Sequence, residues 1–148
     1  MGCQKVTTLL NSGNVIFQYP DTVADTLENE IENKLDATFG FPVPTMVRTA
    51  LSIRGLYKAS PFSDIELTKD IRLYISLLKK DGTEHPPLPW SSDDASYRIL
   101  GKNGRIIYSV LNLAVAKTPK AMDALEQIFG KDITTRNWNT IKRIAGKL

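Results

Sequence analysis

Thr134, Thr135, Arg136, Asn137, Trp138, Asn139 and Thr140 bring an arginine, two amides and an indole together just ahead of a basic amphipathic tail that ends at Leu148. Arg136 offers a forked donor for a phosphate or carboxylate, Asn137 and Asn139 offer donor and acceptor pairs, and Trp138 offers a flat face for stacking. A helix beginning here would add backbone N–H groups that favour an anion. The same residues have plain structural uses, which weigh somewhat more: Asn137 can cap that helix, Trp138 shares a face with Ile141 and suits a core, and Arg136 can bridge loops.

A second candidate is the run Asn11, Ser12, Gly13 and Asn14, which resembles a phosphate-cradling turn only loosely because no Gly-rich phosphate motif accompanies it. A hairpin turn explains it better. Ser12 has no evident base, since the sole histidine, His85, sits in a proline-rich stretch, so no residue is assigned a catalytic role. Glu28, Glu30 and Glu32 read as the outer face of a helix, and Asp93 and Asp94 flank a loop. The single Cys3 cannot form an internal disulfide, and no Cys/His spacing suits a metal, so neither a metal site nor a cofactor is expected. Tyr74, Tyr97 and Tyr108 fall on expected strands but lack the basic-aromatic alternation of RNA-binding sheets and read as packing residues.

With 148 residues, 42% of them hydrophobic and 24% charged, the chain is large enough for one or two small cored units. No apolar run is long enough to span a membrane, and the N-terminus has no signal-peptide core, so a cytoplasmic protein with no membrane partner is expected. The net charge of +3 hides an asymmetry: ten Lys/Arg stand against three Asp/Glu from Tyr97 to Leu148, and nine against thirteen before it. The halves are therefore +7 and −4. A basic half attracts polyanions, although here the cations are scattered along the chain.

These candidates need elements to hold them. Val6 to Leu10 and Val15 to Phe17 form a hairpin across the Asn11 to Gly13 turn. Val23, Leu27, Ile31, Leu35 and Phe39 recur every four residues, predicting a helix from Thr22 to Phe39, capped by Asp21 or Thr22 and stopped at Gly40. Val43 to Val47 reads as an edge strand or as a strand beginning just after Pro44, and Thr49 caps a short helix over 50–59. Ile71 to Leu78 alternates as a half-buried strand, and 79–94, with Pro86, Pro87 and Pro89, is a surface loop. A second hairpin pairs 97–100 with 105–110. Thr118-Pro119 starts a helix that Gly130 stops, Ile133 to Thr135 is a last strand, and a terminal helix follows. Hairpin, helix and strand occur twice, which suggests an α+β protein with two split β-α-β units, a first over 1–60 and a second over 61–148.

At Asn11 to Phe17 and at Thr134 to Thr140 the chain resembles a bacterial family of uncharacterised proteins, DUF1697, and the Pro42 to Arg48 segment and the Pro61-Phe62 pair fit as well. The resemblance implies two ferredoxin-like halves and no established activity. It also implies that the first half lacks its opening strand and helix, the missing strand being central, between Asn14 to Tyr19 and Val43 to Arg48. Three arrangements would satisfy the resulting edges. The residues 14–48 could close as a parallel β-α-β unit, a second copy of the chain could pair there, or Met1 could be an internal residue of a longer protein, which is the favoured expectation. In the second half, the proline-rich loop takes the place of a helix.

Functionally, the sequence favours a non-enzymatic binding module for an anionic or nucleotide-like ligand, a small molecule or a nucleic acid, at Arg136, Asn137, Trp138 and Asn139, with Asn11, Ser12 and Asn14 as further candidates. One alternative is an enzyme pocket shared by the 11–14 turn and the 134–140 segment. The other is a structural protein acting by homo-oligomerisation through unpaired strand edges.

Overall fold

The structure, a computed structural model, describes residues 1–9, 13–82 and 84–148. The architecture is α+β, with seven strands in two antiparallel sheets and four helices among the described residues. The first sheet is the expected hairpin, in which β1 (Gln4–Leu9) pairs with β2 (Asn14–Gln18). Helix α1 (Ala24–Phe39) follows. It starts later than expected: Val23 is the N-cap residue and makes no side-chain capping bond, which leaves Asp21 and Thr22 outside the helix. Its end matches the sequence, because Gly40 takes a left-handed φ of 77° and donates its N–H to Asp36 O at 2.8 Å.

The segment Val43 to Val47 is extended but is not a strand. Its alternate N–H groups are taken by side chains, with Thr45 N donating to Glu32 Oε1 and Val47 N to Glu28 Oε1, both at 2.8 Å. Those two donors are thus satisfied without a sheet. Among the described residues β2 pairs with β1 alone, so 14–48 does not close as a parallel β-α-β unit. Helix α2 (Ala50–Ala59) begins as expected, with Thr49 Oγ1 accepting from Ser52 N at 3.1 Å.

The second sheet has the order β4-β5-β6-β3-β7 and is antiparallel throughout. Its strands are β3 (Ile71–Leu78), β4 (Trp90–Ser91), β5 (Tyr97–Asn103), β6 (Ile106–Asn112) and β7 (Ile133–Asn137). Helix α3 (Thr118–Phe129) carries the chain from β6 across β3 to β7, a split β-α-β connection, while the stretch after β3 returns to β5 by way of β4. At Gly101, opposite Tyr108, an added Cβ would collide with the tyrosine ring, so glycine is required for that ring to lie flat across the hairpin.

β3 is an inner strand, flanked by β6 and β7, and is buried on both faces rather than one. Ile75 packs on one side, and on the other Tyr74 and Ser76 are also buried because each finds a partner: Tyr74 OH lies 3.0 Å from Thr118 Oγ1, and Ser76 Oγ lies 2.7 Å from Thr135 Oγ1. Two apolar clusters result. Leu78, Tyr97, Ile107 and Leu111 meet Leu125 and Phe129 of α3. On the opposite face Ile75 and Val110 meet Ile53 of α2, Phe62, and Trp138 and Ile141 of α4 (Trp138–Ala145). The sheet therefore lies between α3 and the α2–α4 pair.

Candidate functional site

β7 pairs with β3 in a register that sets Arg136 opposite Ile75 and Asn137 opposite Tyr74, and α4 starts at the very next residue. That abrupt strand-to-helix change separates the four neighbouring candidates. Trp138 turns inward, is 9% exposed, and has its ring covered by Tyr57 at 6.3 Å and by the edge contact of Phe62 at 5.4 Å. It is a core residue, and its faces are not open for stacking a ligand.

Asn137 and Asn139 stay exposed. Asn137 occupies the N-cap position of α4, yet its side chain makes no capping bond, so the expected capping role is not the one it plays. Both asparagines line a groove of ≈ 750 Å³ between the 60–73 segment and α4. Arg72, Lys142 and Arg143 also line it, with the hydroxyls of Ser63 and Thr68 on the facing wall, and no Asp, Glu, His or Cys is among its lining residues. Arg72 is held in place, its Nη1 donating to Lys69 O at 2.8 Å and to Ile71 O at 3.1 Å. Lys142 and Arg143 are exposed and enter none of the ion pairs among the described residues. In chemical terms the groove offers positive charge, amide donors and hydroxyls, and no base or nucleophile activator.

Arg136 lies elsewhere. Its Nε donates to Asn14 Oδ1 at 2.8 Å, and its Nη1 donates to Thr134 Oγ1 at 2.7 Å and to Thr135 O at 3.0 Å. Burial lowers its pKa from the ordinary arginine value, although a guanidinium stays charged at any physiological pH. Asn14 in turn donates Nδ2 to Leu9 O at 3.2 Å, and both residues make further interactions besides these. The two sequence candidates at opposite ends of the chain are thus brought together, as a bond that fastens the hairpin to the sheet. Neither Arg136 nor Asn14 lines the groove. Asn11 and Ser12 lie outside the described residues.

The sequence reading missed a buried charge cluster. Glu28, expected on the outer face of α1, is only 2% exposed, and it pairs with Arg48 Nη1 at 3.3 Å and Lys79 Nζ at 3.6 Å. Lys79 also bonds Glu32 and donates to Thr45 O at 3.1 Å, while Arg48 Nη2 donates to Leu78 O at 2.6 Å and Arg105 Nη1 meets Asp25 Oδ1 at 2.9 Å. Burial pulls the Arg48 pKa down, the neighbouring Arg105 adds to this, and Glu28 opposes both. For Glu32 burial acts upward, but bonds from Lys79 and the Thr45 N–H leave it below the usual carboxylate value. The signal was present in the spacing: Asp25, Glu28 and Glu32 fall at i, i+3 and i+7, one stripe beside Leu27 and Ile31. Among the described residues no group of three or more His, Cys, Asp or Glu gathers as metal ligands, and no helix is long and apolar enough to cross a membrane.

The family model described as a protein of unknown function, DUF1697, matches residues 1–96, about two thirds of the chain. The chain belongs to the DUF1697 family. The matched stretch takes in the hairpin, α1, the charge cluster's Glu28 and Arg48, and β3, and it ends before β5, so Arg136 and the α4 side of the groove lie beyond it. No curated protein and no solved structure matches the chain.

Proposed function

We propose that this DUF1697 chain is a non-enzymatic binding module and that the groove between the 60–73 segment and α4 takes a phosphate-bearing, nucleotide-like ligand. The observation that carries this reading is the lining: Lys142 and Arg143 enter no ion pair among the described residues and stand beside the exposed amides of Asn137 and Asn139, in a groove with no acidic lining residue. Such a site places positive charge where an anion can also be reached by directional donors. An enzyme is the weaker reading. The groove lacks a histidine, cysteine or carboxylate to move a proton, and the Arg136 that such a site would need is bound to Asn14 and to its own strand.

The test is an NMR titration with inorganic phosphate and with adenosine monophosphate at low salt. Both are expected to shift the amides of Asn137 to Arg143 and the side-chain amides of Asn137 and Asn139. The Lys142→Ala/Arg143→Ala variant, altered only at exposed positions, should lose those shifts while keeping the wild-type circular dichroism. Unchanged spectra with both probes at low salt would overturn the reading.

A further inference from the structure

α2 and α4 lie side by side, antiparallel, because Tyr57 near the end of α2 stacks on Trp138 at the start of α4 while Ala50 and Arg54 share a cavity with Lys147 and Leu148. The ten residues of α2 and the eight of α4 contain no Asp or Glu. Together with Lys147 they present Arg54, Lys58, Lys142 and Arg143, all exposed and in none of the ion pairs among the described residues. The shared cavity, of ≈ 410 Å³, is walled on its far side by the hairpin through Lys5, Thr7 and Phe17, and it too has no acidic lining residue. One basic surface thus runs from the groove at the start of α4 to this second cavity at its end. Lys147 stands just past the end of α4, in a turn closed by its N–H donating to Ile144 O at 3.0 Å, and so continues the basic surface from Arg143 towards the second cavity that it lines.

From this continuity we infer that the α2–α4 face is a track for single-stranded nucleic acid, with phosphates following Lys142, Arg143, Lys147 and Arg54 from the groove into the second cavity. The inference rests on the reading of the groove as a phosphate site and extends it from one phosphate to a chain of them. Aromatic surface lies along the same route: Tyr57 is 48% exposed, and Phe17 lines the second cavity. An anionic bilayer fits less well. A membrane-surface helix inserts its apolar side, and in α4 that side, Trp138 and Ile141, is already packed on the sheet. The charge layout also favours one face, since α1, with Asp25, Glu28 and Glu32 already paired to Arg105, Arg48 and Lys79, still sets Glu30 and Asp36 against a single Lys34 and offers a polyanion no surplus of cations.

The experiment measures binding of a fluorescent mixed-sequence oligonucleotide of about 12 nucleotides, within the usual footprint of such surfaces. The wild type is compared with two exposed-site double variants, Lys142→Ala/Arg143→Ala at the groove and Arg54→Ala/Lys147→Ala at the second cavity. If four phosphates are neutralised, log K should fall against log salt with a slope near −3, and each double variant should reduce that slope by about 1.4 and weaken binding about tenfold. Oligonucleotide affinity that is unchanged in Arg54→Ala/Lys147→Ala overturns the track and leaves the groove reading intact. No oligonucleotide binding at low salt overturns the track whatever the mononucleotide does, and loss of the mononucleotide shifts as well removes the groove reading with it. Tighter binding to phosphatidylserine vesicles than to the oligonucleotide also overturns it.

Discussion

Ile75, Ile99, Ile107 and Leu111 are completely withdrawn from water in the five-stranded sheet, whereas in the hairpin and α1 Leu9 and Leu27 are buried but Val6, Val15, Val23 and Phe39 stand more than half exposed. The sheet is stabilised by apolar area taken up on both faces. The N-terminal part is stabilised differently. Its 43–47 segment is bonded by carboxylates instead of by a neighbouring strand, and its attachments to the sheet include Lys79 meeting Glu28 and Glu32, Arg105 meeting Asp25, Arg48 donating to Leu78 O, and Arg136 holding Asn14. Buried ion pairs cost desolvation that offsets much of their attraction, so they fix position more than they add stability. The contrast implies a firm sheet with a more easily opened N-terminal part.

Substitution of the sheet core should give the largest effect. Leu111→Ala, at a site with no exposure, should destabilise the protein by about 3 kcal/mol and shift the midpoint of the whole denaturant transition. A loss confined to the hairpin amides would break the comparison. Next, Glu28→Gln removes the charge facing Arg48 and Lys79 and should cost about 2 kcal/mol. Native-state amide exchange should show it as faster exchange at Thr45 and Val47 with β3 and β6 unchanged; equal acceleration across the sheet would mean the two parts open together.

A smaller effect concerns pH. The folded pKa of Glu32 is depressed, so its contribution is present above the unfolded carboxylate value and is lost as pH falls through the folded one. Below about pH 4 the Thr45 amide should lose protection before those of the sheet. Simultaneous loss would show that acid acts on the sheet directly. Because Glu32 is partly exposed, solvent screening keeps this effect below that of Glu28→Gln.

Much of the architecture was legible because its signals are local. The two glycines after α1 and α3, the Thr49 cap, the Thr118-Pro119 start and the alternation in 71–78 all act within a few residues, and all these elements formed. Local signals failed where partners came from afar. Val43 to Val47 has strand-forming residues but no strand partner among the described residues, and Ser76, on the face that the alternation leaves to solvent, is buried because Thr135 reaches it. The candidate site divided for the same reason. Asn137 and Asn139 open onto the groove, while Trp138 went to the core and Arg136 to the hairpin, since a strand running directly into a helix changes the direction of each successive side chain.

Composition and periodicity were enough to establish an α+β chain with a basic C-terminal half, because side-chain period and formal charge are properties of the order of residues alone. Which cations lie together was settled by packing. Arg54 and Lys147 are 93 positions apart in the chain, yet they line one cavity, because α2 and α4 must both bury their apolar sides on the same face of the sheet and turn their charged sides to water together.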